Sequence, residues 1–474
     1  MNVKELRIIV QPDKIAITRS VGSPETGNMN REVIKLELSI AKIFHKVLNK
    51  FRVVSAFEKN DYEILGKTLF KVLFFDQLVR KFFLDEIIEV RDSPDTYCRI
   101  YLRFKDLTGD IPELPWEYML VEDEDRKISE LYLGADSNQR FDLIRIVNEN
   151  KISFIPKNDQ KLNVALIVSN PRNQPEGRLP LASDELSNCF KRLKQKFGSL
   201  INTNEREDEK PDFRNFENDL ADVITPFNGE PYVLHFYGHA QAKDKESMIA
   251  FTDENQNVAW ISDKDFAAIF SQNTNIQKPQ LIILQACESG QVCNADTEDP
   301  GGLAYTLAMN NIPAIVAMQN IVREDVSIDF IEQFYTSLLN GEDVARAVTR
   351  GRQFLGCGVR KNGEKRKMNE YYDNNTFGTP LLFISTIQPI RLMPEKVSSI
   401  AEKQVVNKIC PKCKTLWKNV KLDKEICTLN RCGGRLEIYR EDVAAESAIG
   451  NKNVSSDQVK AELNPQLPGK ASLN

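Results

Sequence analysis

The rhythm of apolar and polar positions changes near residue 150, and the two rhythms predict two kinds of structure. Before the change, short strand-like runs mix with long helical ones. Residues 5–10 and 14–19 alternate apolar and polar side chains about a Gln-Pro-Asp turn, the pattern of two strands. Residues 31–56 and 62–89 repeat apolar side chains at helical spacing, and 97–104 returns to a strand pattern. A turn-rich stretch ends in Leu114-Pro115-Trp116-Glu117-Tyr118-Met119, where a tryptophan packed between two layers is expected. Residues 1–150 thus read as an α+β unit.

From residue 162 strands and helices alternate, which predicts a mostly parallel α/β sheet over residues 151–387. Apolar strands are expected at 162–168, within 232–239 and 279–287, at 312–318 and at 381–384. Helices are expected at 181–197, 216–224, 262–270, 301–309, 324–339 and 342–354. Ser262 is placed to cap the third of these, and Asn340-Gly341 to separate the last two. The charged stretch 203–214 reads as a solvated loop, and 360–367 is a basic, glycine-bearing run. Residues 388–407 read as a linker and 408–440 as a small cysteine-bearing module. The last stretch, 441–474, has almost no large apolar groups and is expected to stay disordered.

A chain of 474 residues is long for a single core, and its 41% hydrophobic and 28% charged content is that of a soluble globular protein. A net charge of −5 argues against a wholly basic nucleic-acid binder. The first residues lack an apolar signal core and no apolar run reaches membrane-spanning length, so a cytoplasmic location without membrane attachment is expected. Nine cysteines in a reducing compartment then call for catalysis, metal binding or plain burial. There are three histidines, His45, His235 and His239, so histidine-dependent chemistry has few places to go.

Two of the apolar strands end in chemistry. One closes on His235-Phe236-Tyr237-Gly238-His239, the other on Gln285-Ala286-Cys287-Glu288-Ser289-Gly290. In an open parallel sheet, reacting groups gather at the carboxyl ends of the strands. A thiol of ordinary pKa is mostly protonated at neutral pH, and a neighbouring imidazole both ionises it and later protonates a leaving amine. His239, past its strand in a Gly-His turn, is the expected partner of Cys287, while His235 lies mid-strand and is expected to be structural. The N–H groups of Gly238 and Cys287 are candidate oxyanion donors. The bland reading of Cys287 is a buried core thiol. Cys293 reads as structural or a loop thiol, and Cys98, Cys189 and Cys357 as buried or incidental.

These residues resemble the caspase–separase clan of cysteine peptidases, and within it most closely the CHAT family. Leu114-Pro115-Trp116-Glu117, Ser169-Asn170-Pro171 and Gly301-Gly302-Leu303-Ala304 are also similar to CHAT sequences, so the resemblance covers roughly residues 100–386. Two residues, not one, separate Cys287 from its glycine, which departs from the caspase signature. The resemblance implies a caspase-like three-layer αβα sandwich, a Cys287–His239 dyad with an oxyanion site at Gly238 and Cys287, and endopeptidase activity without a catalytic cofactor. It also implies a gate, opened by an activating protein, a ligand or cleavage, in a bacterial defence or cell-death setting. Clan members that cut after Arg or Lys use an acidic pocket, which Asp184, Glu185 and Glu288 are candidates to supply. Asp184 and Glu185 equally suit the first turn of a helix. The rival reading is a peptidase-like scaffold that binds partners with slow or no catalysis.

The C-terminal module carries Cys410-Pro411-Lys412-Cys413 and, thirteen residues on, Cys427 and Cys432 followed by two glycines. Two chelating pairs resemble a zinc ribbon in which Cys410, Cys413, Cys427 and Cys432 hold a structural Zn²⁺ as thiolates. The second pair is spaced by four residues instead of the usual two. Residues 391–424 hold nine Lys or Arg against three acids, with Trp417 among them. Such a surface suits either nucleic acid, through phosphates and stacking, or protein docking. A nucleic-acid sensor controlling the peptidase is a third reading.

Overall fold

In a computed structural model, the residues described are 2–11, 14–19, 25–28, 59–93, 95–105, 111–136, 138, 140–151, 154–171, 182–205, 212–243, 246–272, 276–290, 301–320, 324–357 and 376–395, with three further strands at 406–409, 416–420 and 437–438. The predicted helix 31–56, the basic run 360–367, Cys293, the four module cysteines and the tail lie outside them. Contacts divide the chain into two compact units, Met1–Glu395 and Lys396–Asn474.

The first unit opens with strands β1 (Asn2–Val10), β2 (Lys14–Arg19) and β3 (Glu25–Asn28). Helices α1 (Lys59–Leu73) and α2 (Gln77–Asp92) follow. The single helical run expected at 62–89 is therefore two helices. Asp76 starts the second by accepting from the N–H groups of Leu78 and Val79, at 2.9 and 3.1 Å. Next come β4 (Thr96–Phe104), the hairpin β5 (Leu120–Asp123) and β6 (Ile128–Tyr132), and β7 (Phe141–Ile146).

The alternating half runs β8 (Leu162–Val168), α3 (Ala182–Phe197), β9 (Ile201–Glu205), α4 (Phe216–Ile224) and β10 (Tyr232–Tyr237). A small antiparallel sheet of β11 (Ala240–Lys243), β12 (Glu246–Thr252) and β13 (Val258–Ser262) comes next. Then follow α5 (Asp263–Gln272), β14 (Leu281–Gln285), α6 (Leu303–Met309) and β15 (Ala314–Met318). Helices α7 (Glu324–Leu339) and α8 (Val344–Cys357) lead to β16 (Pro380–Ile384). Ser262 caps α5 as expected, its hydroxyl accepting from the N–H of Asp265 at 3.1 Å. The stretch read as a solvated loop begins instead as the polar edge strand β9.

Among the described residues, eleven strands form one sheet in the order β3-β2-β1-β4-β7-β16-β15-β14-β10-β8-β9. β1, β4, β7 and β16 are mutually parallel, as are β15, β14, β10, β8 and β9, and the two blocks meet where β16 runs antiparallel to β15. The boundary read at residue 150 thus runs through a shared sheet, because β16 pairs with β7. Residues 388–395, read as the start of a linker, belong to this first unit: Leu392 and Met393 are buried, and Val344 donates to the carbonyl of Ile390 at 3.0 Å.

Apolar clusters cover both faces, giving three layers. Val233 and Tyr237 of β10 join one cluster with α3, α7 and α8, and Leu234 and Phe236 join the other with α4, α5 and α6. Trp116 is fully buried as expected, donating to the carbonyl of Ile111 at 3.0 Å and packing on Phe104. Beside it Glu117, also fully buried, accepts from Arg145 at 2.6 and 2.9 Å and from Gln319 at 3.0 Å. Burial pushes the Glu117 carboxyl up, but the charges and hydrogen bonds of Arg145, with Arg352 behind, outweigh it and hold the carboxyl below its ordinary value. This pair anchors the end of β15, next to the end of β14.

Candidate active site

β10 and β14 are buried along their whole length, and their parallel register pairs Tyr237 with Gln285. His239 lies two residues beyond the first and Cys287 two beyond the second, so both emerge at the same end of neighbouring strands. Gly238 continues the ladder one step, donating to the carbonyl of Gln285 at 3.2 Å. A Cβ at Gly238 would stand 2.9 Å from the carbonyl oxygen of Ser169 and 2.8 Å from the Phe236 ring, so a side chain there is excluded by packing. The carbonyl of His239 accepts from Ala250 at 2.9 Å, and the Ser169 hydroxyl donates to the carbonyl of Ala250 at 2.7 Å. His239 therefore sits where the large sheet hands over to the small one. It is buried, and Cys287 is half-buried.

The chain turns sharply after Ala286. Glu288 takes a left-handed backbone with φ of 58°, rare for a residue with a side chain. The Ser289 hydroxyl then inserts between β14 and β15, donating to the carbonyl of Leu284 and accepting from the N–H of Met318, both at 3.1 Å. Gly290 donates to the carbonyl of Met318 at 2.9 Å and packs against Leu381. These contacts hold the Cys287 turn on the sheet. On its other side, the Glu288 carboxylate accepts from the N–H of Ala242 in β11 at 3.3 Å.

His235 is fully buried and has the structural surroundings expected of it. Gln285 donates through Nε2 to Ser327 at 2.8 Å, which leaves its Oε1 to accept from His235 Nε2 at 2.9 Å. The Tyr335 hydroxyl then donates to Nδ1 at 3.1 Å. Burial draws the His235 pKa from 6.5 down to about 4, against the opposing effect of the hydrogen bond it donates to Gln285, so the ring is neutral near neutral pH in the folded chain. Between these values the unfolded chain binds a proton that the folded one refuses, so stability falls as pH drops through 6.5 toward 4. His235 alone is expected to remove about 2 kcal/mol between about pH 7.5 and about pH 5. Urea unfolding at the two pH values checks this. His235→Gln should lose less stability than wild type by that amount, and an equal loss excludes His235 as the origin.

Asp184 and Glu185 lie in the first turn of α3, exposed and half-buried respectively. Burial pushes the thiols of Cys98 and Cys189 well up, which makes them unreactive core groups. Among the described residues no cluster of His, Cys, Asp and Glu is arranged to hold a metal, and no helix is long and apolar enough to cross a membrane. Sequence reasoning missed Ser289 and the pairing of Gln285 with His235. The second left a signal, because a polar residue inside an otherwise apolar buried strand needs a partner.

The CHAT domain family model matches residues 64–361, more than half of the chain. No curated protein matches it. Among solved structures it is similar to a chain of the Saccharomyces cerevisiae separase–securin complex, at 10% identity and a TM-score of 0.44. That match covers 82% of this chain and 30% of the other, so this chain spans under a third of that relative's length. It is also similar to the Drosophila initiator caspase Dronc, at 10% identity and a TM-score of 0.33, over 52% of this chain and 93% of the other. Caspase-1 from Spodoptera frugiperda matches at 6% identity and a TM-score of 0.32, over 52% of this chain and 96% of the other.

Proposed function

The chain belongs to the CHAT domain family, and from that premise we propose that it is a cysteine endopeptidase working through Cys287 and His239. The observation that carries the reading is the register of β10 and β14, which brings the histidine and the cysteine out at one end of adjacent parallel strands. In this reading His239 takes the thiol proton and the Cys287 thiolate attacks the scissile carbonyl carbon. The tetrahedral oxyanion collapses, the C–N bond breaks, and His239 returns its proton to the leaving amine. Water, deprotonated by His239, then releases the acyl group from the thioester. Cys287 and Gly238 N–H groups are the proposed oxyanion donors, and the Gly238 contribution requires its bond to Gln285 to be exchanged when substrate arrives. Asp184, Glu185 and Glu288 are proposed to favour a basic residue on the acyl side of the cut. A gate set by a partner, ligand or cleavage, a cytoplasmic location and a role in defence or cell death complete the reading.

The test is cleavage of co-expressed neighbouring proteins by wild type and by Cys287→Ala, read by mass spectrometry. A product formed by wild type alone supports the dyad, and its new termini identify the residue before the cut. If nothing is cut and an electrophilic thiol probe does not single out Cys287, the scaffold reading replaces it.

For the second unit the proposal is a structural zinc module. Strands β17 (Val406–Ile409), β18 (Leu416–Val420) and β19 (Glu437–Ile438) form an antiparallel sheet in the order β18-β17-β19. Ile409 pairs with both Leu416 and Glu437, so three strand ends meet at one end of the sheet. Cys410 directly follows the first, Cys413 precedes the second by three residues, and Cys432 precedes the third by five. Three of the four cysteines are thus tied in sequence to one end of a small sheet, and with Cys427 they would supply the four thiolates of a tetrahedral ion that fixes the fold. The basic residues around it are proposed to dock a protein, or nucleic acid if binding weakens steeply with salt.

A further inference from the structure

The turn that carries Cys287 is held on one side by Ser289, wedged between β14 and β15. On the other side it meets β11, the strand that starts directly after His239. Across that gap the Ala242 N–H donates to the Glu288 carboxylate at 3.3 Å. Two features mark this contact as built. Glu288 stays in a left-handed backbone that costs free energy for any residue with a Cβ, although the next-but-one residue is a glycine that would adopt it freely. And the register of the small sheet sends the main chain of Ala242 away from β12. His239 accepts from Ala250, so by alternation Gln241 faces β12 while Ala242 faces the Cys287 turn.

We propose that Glu288 is a positioning residue, a latch whose carboxylate joins the Cys287 turn to the strand leaving His239 and so sets the thiol against the imidazole. The inference rests on the dyad reading above and gives Glu288 a second role, separate from the acidity proposed for substrate choice, that depends on its acceptor oxygen and is read on the thiol without substrate. The latch fixes one end of each catalytic segment to the other, three residues past His239 and one past Cys287. Releasing it leaves both groups present and misaligned, so the loss falls on imidazole-assisted ionisation of the thiol.

The full chain is alkylated with iodoacetamide at about pH 6.5, where an unassisted thiol is about 1% ionised, and at about pH 9.5, where about nine-tenths is ionised without help. The rate at Cys287 is read by peptide mass spectrometry. Glu288→Gln keeps the acceptor, loses the charge and should stay within about twofold of wild type at both pH values. Glu288→Asn tolerates the left-handed backbone but is one methylene too short to reach Ala242, and should react about tenfold more slowly at the lower pH only. Ala242→Pro removes the same bond from its donor end without touching the β12 ladder. It should match Glu288→Asn, and the double variant should add nothing. Equal rates for Glu288→Asn, Ala242→Pro and wild type overturn the latch while leaving the dyad standing. Equal slowing of Glu288→Gln and Glu288→Asn overturns it in favour of a charge effect. If His239→Ala leaves the wild-type profile unchanged, the dyad itself fails and the latch with it.

Discussion

Replacing Glu117 by alanine is expected to lower the stability of the first unit by about 3–5 kcal/mol, a large part of what holds a typical domain folded. The reason is what the substitution leaves behind. Arg145 and Arg352 are 3% and 1% exposed, and Glu117 is the carboxylate that faces both, at 2.6 and 3.8 Å. Burial already draws the Arg352 guanidinium down to about 10, and the Glu117 charge is the first influence opposing that fall. Without it two guanidinium groups share a dry site with carbonyl oxygens alone. Glu117→Gln restores an acceptor for Arg145 and should recover part of the loss. In wild type, the depressed Glu117 carboxyl contributes stability above the ordinary carboxyl pKa of 4.5 that disappears as pH falls through its lower folded value. Urea midpoints for the three proteins near neutral pH decide the matter. A loss below about 0.5 kcal/mol for alanine would show the cluster to be ornamental.

The same cluster marks where sequence reading reaches its limit. The strands of His239 and Cys287 were legible because each is a short apolar run ended by a turn, and nothing local competes with that pattern. β7, by contrast, carries Asp142 and Arg145 within six residues and does not read as a buried strand. Both are buried because their partners come from far along the chain, Glu117 for one and Arg346 with Thr349 for the other. Charge pairing at such separations leaves no periodic trace. The break between α1 and α2 was hidden for a different reason: apolar spacing continues through it, and only Asp76 signals a new start. β9 has the sequence Ile-Asn-Thr-Asn-Glu, polar because it is an edge, so hydropathy alone cannot separate it from a loop. The positive φ of Glu288 had no signal either, since glycine, the residue that would advertise it, stands two positions later.

On the proposed zinc reading, removing the metal is expected to unfold the cysteine module of the second unit and leave the first unit intact. A module of about thirty residues has too little apolar surface to fold unaided, and four thiolates on Zn²⁺ supply on the order of 10 kcal/mol. The purified chain should carry one zinc per molecule. Treatment with a strong chelator should make backbone amides across 406–438 exchange rapidly with deuterium, with residues 2–357 unaffected. Cys410→Ser and Cys427→Ser should each prevent zinc retention. A chain that purifies without zinc, or keeps full zinc after both substitutions, would sink the proposal.

β16 is the last strand of the eleven to be synthesised, yet it lies in the interior of the sheet, between β7 and β15. The two parallel blocks touch through the sheet only where this strand joins them. On a ribosome making about 5–20 residues per second, the open edge of β7 waits roughly 12 to 50 seconds for its partner. The open edge of β15 waits a shorter time. Each block must therefore be competent to persist alone during that interval, with exposed strand edges that neighbouring nascent chains could pair with. The order of synthesis makes five residues near the end of the first unit a timing element, and a ribosome stalled before Pro380 holds two half-sheets that lack the strand joining them into one.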